Sequence, residues 1–198
     1  MRKLIVLTFV SLDGVMQAPG GPDEDRDGGF MYGGWTVPHF DDVGGQEMGR
    51  QMTPPFDLLL GRKTYDIFAS YWPHHPEDGA SLNAAHKYVA SRSGTSLPWG
   101  PATKLEGDVV EAVRRLKTTD GPDLQVHGSS DLLQTLVESD LVDQYWLKYF
   151  PVVLGEGKRL FSSNAFPQTY TLTRSLTTPS GVLIGCYKRD GEIRTGSF

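Results

Sequence analysis

The chain has 198 residues, with 24 acidic against 19 basic side chains for a formal net charge of −5, and 38% of it is hydrophobic. That length suffices for one sizeable core, and the acidic balance excludes a surface that binds nucleic acid by displacing counterions. A single cysteine, Cys186, allows no internal disulfide and points to a reducing, cytoplasmic compartment, while no apolar run approaches the roughly 20 residues of a membrane helix.

Residues 4–10 form a β-rich apolar run without helical spacing, which predicts a central strand buried on both faces. A Gly-, Pro- and Asp-rich loop over 13–34 follows, then a helix over 39–52 with Asp41 and Asp42 near its start. A strand over 56–60 ends at Gly61, and 62–70 reads as a helix; 87–90 is a short strand. Asp108 caps a helix whose Val109, Ala112, Val113 and Leu116 share one face. A strand over 124–126 leads into Gly128-Ser129-Ser130-Asp131, which opens a helix with Leu132, Leu133, Leu136 and Val137 on one side. Strands over 142–150, 170–176 and 181–189 close the chain. Alternating strands and helices predict crossover units and a mostly parallel sheet, with an antiparallel C-terminal edge. One domain over residues 1–190 and a tail over 191–198 is the simplest organisation.

Two strand-to-helix junctions carry the chemistry, Gly61-Arg62-Lys63-Thr64 and Gly128-Ser129-Ser130-Asp131. A helix start offers unpaired N–H groups and partial positive charge, so small residues there let a phosphate reach the backbone. Two such junctions at strand ends suit the two ends of one dinucleotide, and Arg62, Lys63 and Thr64 suit a 2′-phosphate, hence NADP over NAD. Either junction alone also reads as a tight turn with a capped helix, and spacing by itself does not decide between the two.

The run from Val126 to Leu136, with Leu141-Val142-Asp143-Gln144 and Pro151-Val152-Val153-Leu154-Gly155-Glu156-Gly157-Lys158-Arg159-Leu160-Phe161, resembles one reductase domain. That is the C-terminal domain of the bifunctional riboflavin-biosynthesis deaminase-reductase, and the likeness is strongest to its stand-alone, dihydrofolate-reductase-like relatives. Ser11-Leu12-Asp13-Gly14, Leu60-Gly61-Arg62-Lys63-Thr64-Tyr65 and Lys87-Tyr88-Val89-Ala90-Ser91-Arg92 match in the same order. The resemblance implies an α/β fold of three layers, α/β/α, dihydrofolate-reductase-like, and an NADPH-dependent reductase of a small pterin- or pyrimidine-like substrate. Dihydrofolate reductase itself, 5-amino-6-(5-phosphoribosylamino)uracil reductase, or a catalytically silent dinucleotide binder are the alternatives.

Carried over by position, the resemblance assigns the 2′-phosphate end to Gly61, Arg62, Lys63, Thr64, Ser91 and Arg92. It assigns the pyrophosphate and nicotinamide ribose to Gly128, Ser129, Ser130, Asp131 and Leu132. Phe9, Val10, Ser11, Met16 and Gln17 would flank the nicotinamide, and Asp13, Trp35 and Phe40 the substrate. Dihydrofolate reductases join a Gly-Gly pair at the later turn by a cis peptide; here Ser129 replaces the second glycine, which leaves that bond's isomer open. Their proton-donating acid follows a Trp-x-x-Pro segment. In Trp35-Thr36-Val37-Pro38-His39-Phe40-Asp41 the matching carboxylate, Asp41, falls one residue late, a turn of about 100° on a helix. Asp41 is therefore both the candidate acid and a candidate helix cap.

No Gly-x-Gly-x-x-Gly opens a helix after the first strand, and Gly155-Glu156-Gly157-Lys158 lacks P-loop spacing. His75-Pro76-Glu77 imitates half of a zinc deaminase motif, but one cysteine provides no second half, so no metal is expected. Large apolar groups on both faces of the 142–150 strand predict cover by a second subunit and hence a homodimer.

Overall fold

The computed structural model describes residues 1–53, 55–94 and 96–197. Eight strands form one sheet: β1 (Leu4–Ser11), β2 (Phe56–Gly61), β3 (Lys87–Ala90), β4 (Ala102–Lys104), β5 (Asp123–Val126), β6 (Gln144–Phe150), β7 (Thr169–Thr177) and β8 (Leu183–Gly191). Their spatial order is β4-β3-β2-β5-β1-β6-β8-β7. Every pairing from β4 to β6 is parallel, and β8 runs antiparallel to both β6 and β7. β1 lies between β5 and β6, which is why its apolar run is buried almost throughout.

Among the described residues five α-helices cover the sheet: α1 (Asp42–Gln51), α2 (Arg62–Tyr71), α3 (Pro76–Ala84), α4 (Val109–Thr118) and α5 (Ser130–Glu138). The two-residue period of a strand assigns the layers. Leu59 joins Val113 and Leu116 of α4 and Leu133 and Leu136 of α5 in one core. Its neighbours Leu58 and Leu60 join Tyr65 of α2, Leu82 of α3 and Trp99 in another. The result is the expected three-layer, dihydrofolate-reductase-like arrangement. Among the described residues no helix is long and apolar enough to cross a membrane.

Some boundaries move. The first helix begins at Asp42, because Pro38 sits in a 3-10 turn over Val37–His39 and Asp41 then caps the helix. α3 was not expected; its Gly79 and Pro76 and its scattered apolar residues hide it from a periodicity reading. The edge strand β4, three residues long, was missed as well. On β6, Tyr145 and Leu147 enter the core with α5, while Phe150 packs edge-on against Phe9 and Trp35 at 5.6 and 5.5 Å. Tyr145, Leu147 and Phe150 thus find cover within the chain, while Trp146 and Tyr149 stay half-buried.

Candidate active site

β2 and β5 are hydrogen-bonded neighbours, so the helices that leave them, α2 and α5, start side by side. The Gly61 N–H donates to the Gly128 carbonyl at 3.1 Å. Glycine is required at both by close approach. A Cβ on Gly61 would lie 2.0 Å from Ser129 Oγ and 3.0 Å from Ser129 N, and one on Gly128 would lie 2.5 Å from Thr64 Oγ1. The Gly128–Ser129 peptide is cis. Neither helix start is capped by the side chain of its own N-cap residue, Gly61 or Ser129.

Between these turns and the β1–β6 floor lies a cleft of about 240 Å³. One end is lined by Lys63, Thr64, Gly128, Ser129 and Ser130; the floor by Leu7, Thr8, Phe9 and Lys148. Met48 and Gln51 of α1 and Met52 just after it line the other end with Ile67 and Phe68 of α2. The loop after β1 supplies a wall with Met16, Gln17, Glu24 and Asp25. Gln17 pins that wall. Its Nε2 donates to the Asp25 and Asp27 carbonyls at 3.1 and 3.0 Å, its Oε1 accepts from Lys158 N at 3.0 Å, and its carbonyl accepts from Trp35 Nε1 at 2.8 Å.

Charge concentrates beside the helix starts. Lys63 and Lys158 each pair with both Asp25 and Asp27, at 2.6 to 2.7 Å. Hydrogen bonds from Lys158 and Lys63 bring Asp27 down to about 2. Burial pushes Asp25 up, but the two lysines outweigh it and leave it below the usual range. Glu24 moves the other way: burial raises it, against N–H bonds from Gly20 and Gly21.

Of the residues expected at the cofactor, Phe9, Met16, Gln17, Lys63, Thr64, Gly128, Ser129 and Ser130 line the cleft, with Gly61 directly behind Ser129. Val10 and Leu132 are core residues instead, and Ser11 accepts from Val15 N and donates to Asp13. Arg62 lies on the outer side of α2, bound to Asp66 at 2.8 Å and to the Ser96 carbonyl at 3.4 Å. Gly61 is paired with Ala90, so Ser91 and Arg92 leave the sheet next to Arg62; Asp131 is exposed on the first turn of α5.

The expected substrate residues are placed differently. Asp13 takes bonds from Ser11 Oγ and from the Leu154 and Gly155 N–H groups, which hold it at about 2 and make it a tie between two loops. Trp35 is buried behind Gln17, outside the cleft lining, and Phe40 lines a shallow neighbouring hollow with Phe9, Asp41 and Phe150. Asp41 accepts from Gly44 N at 2.8 Å and Ser180 N at 2.9 Å, and the Gly44 bond first keeps it far below the ordinary carboxylate range. A carboxylate so committed has no proton to give, so Asp41 is the cap rather than the acid. Sequence reasoning missed Lys148, Gln51, Met48, His127 and Lys158. Lys148 left one legible signal: it interrupts an otherwise apolar and aromatic strand.

The chain is 27% identical over 196 residues to the uncharacterized protein YyaP of Bacillus subtilis strain 168, covering 96% of each. Among solved structures it superposes on a Shewanella sp. PV-4 protein named for riboflavin biosynthesis, with a TM-score of 0.68, 21% identity, and 95% and 99% of the two chains covered. It also superposes on dihydrofolate reductase of Enterococcus faecalis complexed with NADP(H) and RAB-propyl, with a TM-score of 0.62, 11% identity, and 95% and 96% covered. These likenesses give the fold. Residues 2–184 match the RibD C-terminal domain, and the chain belongs to that family.

Proposed function

We propose that this protein is a cytoplasmic NADPH-dependent reductase that transfers a hydride to a small unsaturated substrate of pterin- or pyrimidine-like shape. The observation that carries the reading is the pair of glycine-led helix starts, joined by the Gly61–Gly128 hydrogen bond and both open to one cleft. The residues present fit a dinucleotide: two helix starts without side-chain caps, small residues at each, and Lys63 and Lys158 beside them. Ser129, Ser130 and Thr64 would hold the pyrophosphate, and Arg62 with Ser91 and Arg92 the 2′-phosphate. When bound, NADPH supplies the hydride; the protein's part is to stack the substrate on it and exclude water. An open cleft floored by Phe9 and Leu7 supports an enzyme over a silent dinucleotide binder.

A homodimer belongs to the same proposal. β7 is an exposed edge strand, with Leu172 turned to solvent, as is Leu183 of β8 opposite Thr177. Light scattering at micromolar concentration should give twice the chain mass; a monomer mass removes the idea.

The cofactor assignment is tested by calorimetric titration with NADPH and NADH. Wild type should prefer NADPH, and Arg62→Ala should weaken NADPH roughly ten- to hundredfold while sparing NADH. Equal losses for both would show that Arg62 does not read the 2′-phosphate.

A further inference from the structure

The cleft floor holds a cation that no hydrogen bond or ion pair among the described residues answers. Lys148 stands on β6, in register with Phe9 of β1 and Ile184 of β8, and is only 4% exposed. Among the described residues its ammonium makes no hydrogen bond or ion pair, and it lies over the Phe9 ring, 5.6 Å from the ring centre. The titratable groups facing it are Glu47 of α1, Cys186 of β8 and His127 beyond β5. None of them serves as its partner. Glu47 is already held by Arg50 at 2.5 Å and Arg174 at 3.0 Å, Cys186 is pushed up by burial and stays a thiol, and His127 is neutral. Elsewhere in the same lining, Gln51 is fully buried; its Nε2 contacts Glu47 and Cys186, while its Oε1 has no donor among the described residues. A buried cation with only a ring face for a neighbour and a buried acceptor without a donor, both in the lining of one cleft, are costly to the fold and are explained by a ligand that completes them.

Resting on the reductase reading above, we propose that Lys148 is a catalytic residue. Its ammonium receives the heteroatom of the substrate's reducible C=N or C=O bond and gives it the proton that accompanies the hydride. The Gln51 carbonyl oxygen takes an N–H or O–H of the same substrate. In the balanced step the carbon of that bond gains the hydride and its heteroatom gains the Lys148 proton. NADPH becomes NADP⁺, and the neutral amine recovers a proton from water. Burial brings Lys148 down to about 8, so it is charged at neutral pH yet gives its proton up far more readily than a lysine in water. The other acids near the cleft do not fill the role: Asp41 is a cap, Glu47 is locked by its arginines, Asp25 is paired with Lys63 and Lys158, and Glu24 is bound to Gly20 and Gly21 on the loop.

The test uses ¹⁵N-lysine-labelled full-length protein, with 7,8-dihydrofolate, which carries a reducible C=N bond, as the probe. The Nζ signal that disappears in Lys148→Met should titrate near 8 and should move when the probe is added to NADPH-loaded wild type. Lys148→Met should bind NADPH within about threefold of wild type. Its probe reduction at pH 7 should fall by at least roughly a hundredfold. The wild-type hydride step should slow as pH rises through about 8. Lys148→Arg, charged but a reluctant donor, should restore probe binding without restoring turnover. A Lys148 signal indifferent to the probe, or Lys148→Met reducing it at the wild-type rate, overturns the proposal. Failure of wild type to bind NADPH would instead defeat the reductase reading on which it rests.

Discussion

Lys148 and His127 are bases that line one cleft, and each makes stability depend on pH in a readable way. Burial holds His127 down to about 3, with the Lys148 ammonium as the second cause. Between that value and 6.5 the unfolded chain binds a proton that the folded chain does not, so stability is lost as pH falls. The slope is at most about 1.4 kcal/mol per pH unit. His127→Gln should flatten the stability profile between pH 6 and 4, measured by urea unfolding; an unchanged slope would place the loss elsewhere. Lys148→Met removes an enclosed, unpaired charge and should stabilise the fold by about 1–3 kcal/mol at pH 7. The gain should shrink from pH 8 toward 10.5, where the folded lysine becomes neutral. Destabilisation at pH 7 would show that Lys148 has a partner after all. Of the two, only Lys148 left a mark in the sequence, a charge inside an apolar and aromatic run; a histidine before a glycine acquires meaning only from what packs around it. Asp41 is the converse case: its type and position fitted an acid, and two N–H groups, one of them from Ser180 far along the chain, settle its use.

At the scale of elements, the turns do the positioning. Adding a methyl at Gly61 drives it into Ser129, backbone nitrogen included. Gly61→Ala should therefore cost about 1–3 kcal/mol in stability and weaken NADPH more than a neutral surface change would, both read by thermal shift with and without cofactor. Wild-type behaviour in both would mean that the two turns are not in contact. The loop after β1 is latched by Asp25 and Asp27 on Lys63 and Lys158, and these carboxylates compete with any phosphate for the same cations. Replacing both by Asn should tighten NADPH binding by roughly three- to tenfold at low salt, with less benefit at high salt. Weaker binding would show that the latch shapes the site instead of blocking it. The glycine-led turns were legible because small residues at a strand-to-helix junction have few other uses. The latch was not: Asp23-Glu24-Asp25 reads as a solvated loop until Lys158, more than 130 residues later, is brought to it.

For the whole molecule, the period-2 and period-3.6 patterns fixed the layers, since long apolar strands such as β1 and strongly one-sided helices such as α4 and α5 have one way to bury themselves. β4 escaped because it is a three-residue strand at the sheet's edge, where burial demands little of the sequence, and α3 because Pro76, Gly79 and few apolar residues give it no periodic face. The central claim is that this topology brings two helix starts together so that one dinucleotide spans them. Hydrogen–deuterium exchange with and without NADPH tests it directly. The account predicts slowed exchange at the amides of Lys63 and Thr64 and at those of Ser130 to Leu132 together; protection at only one turn, or at neither, would contradict it.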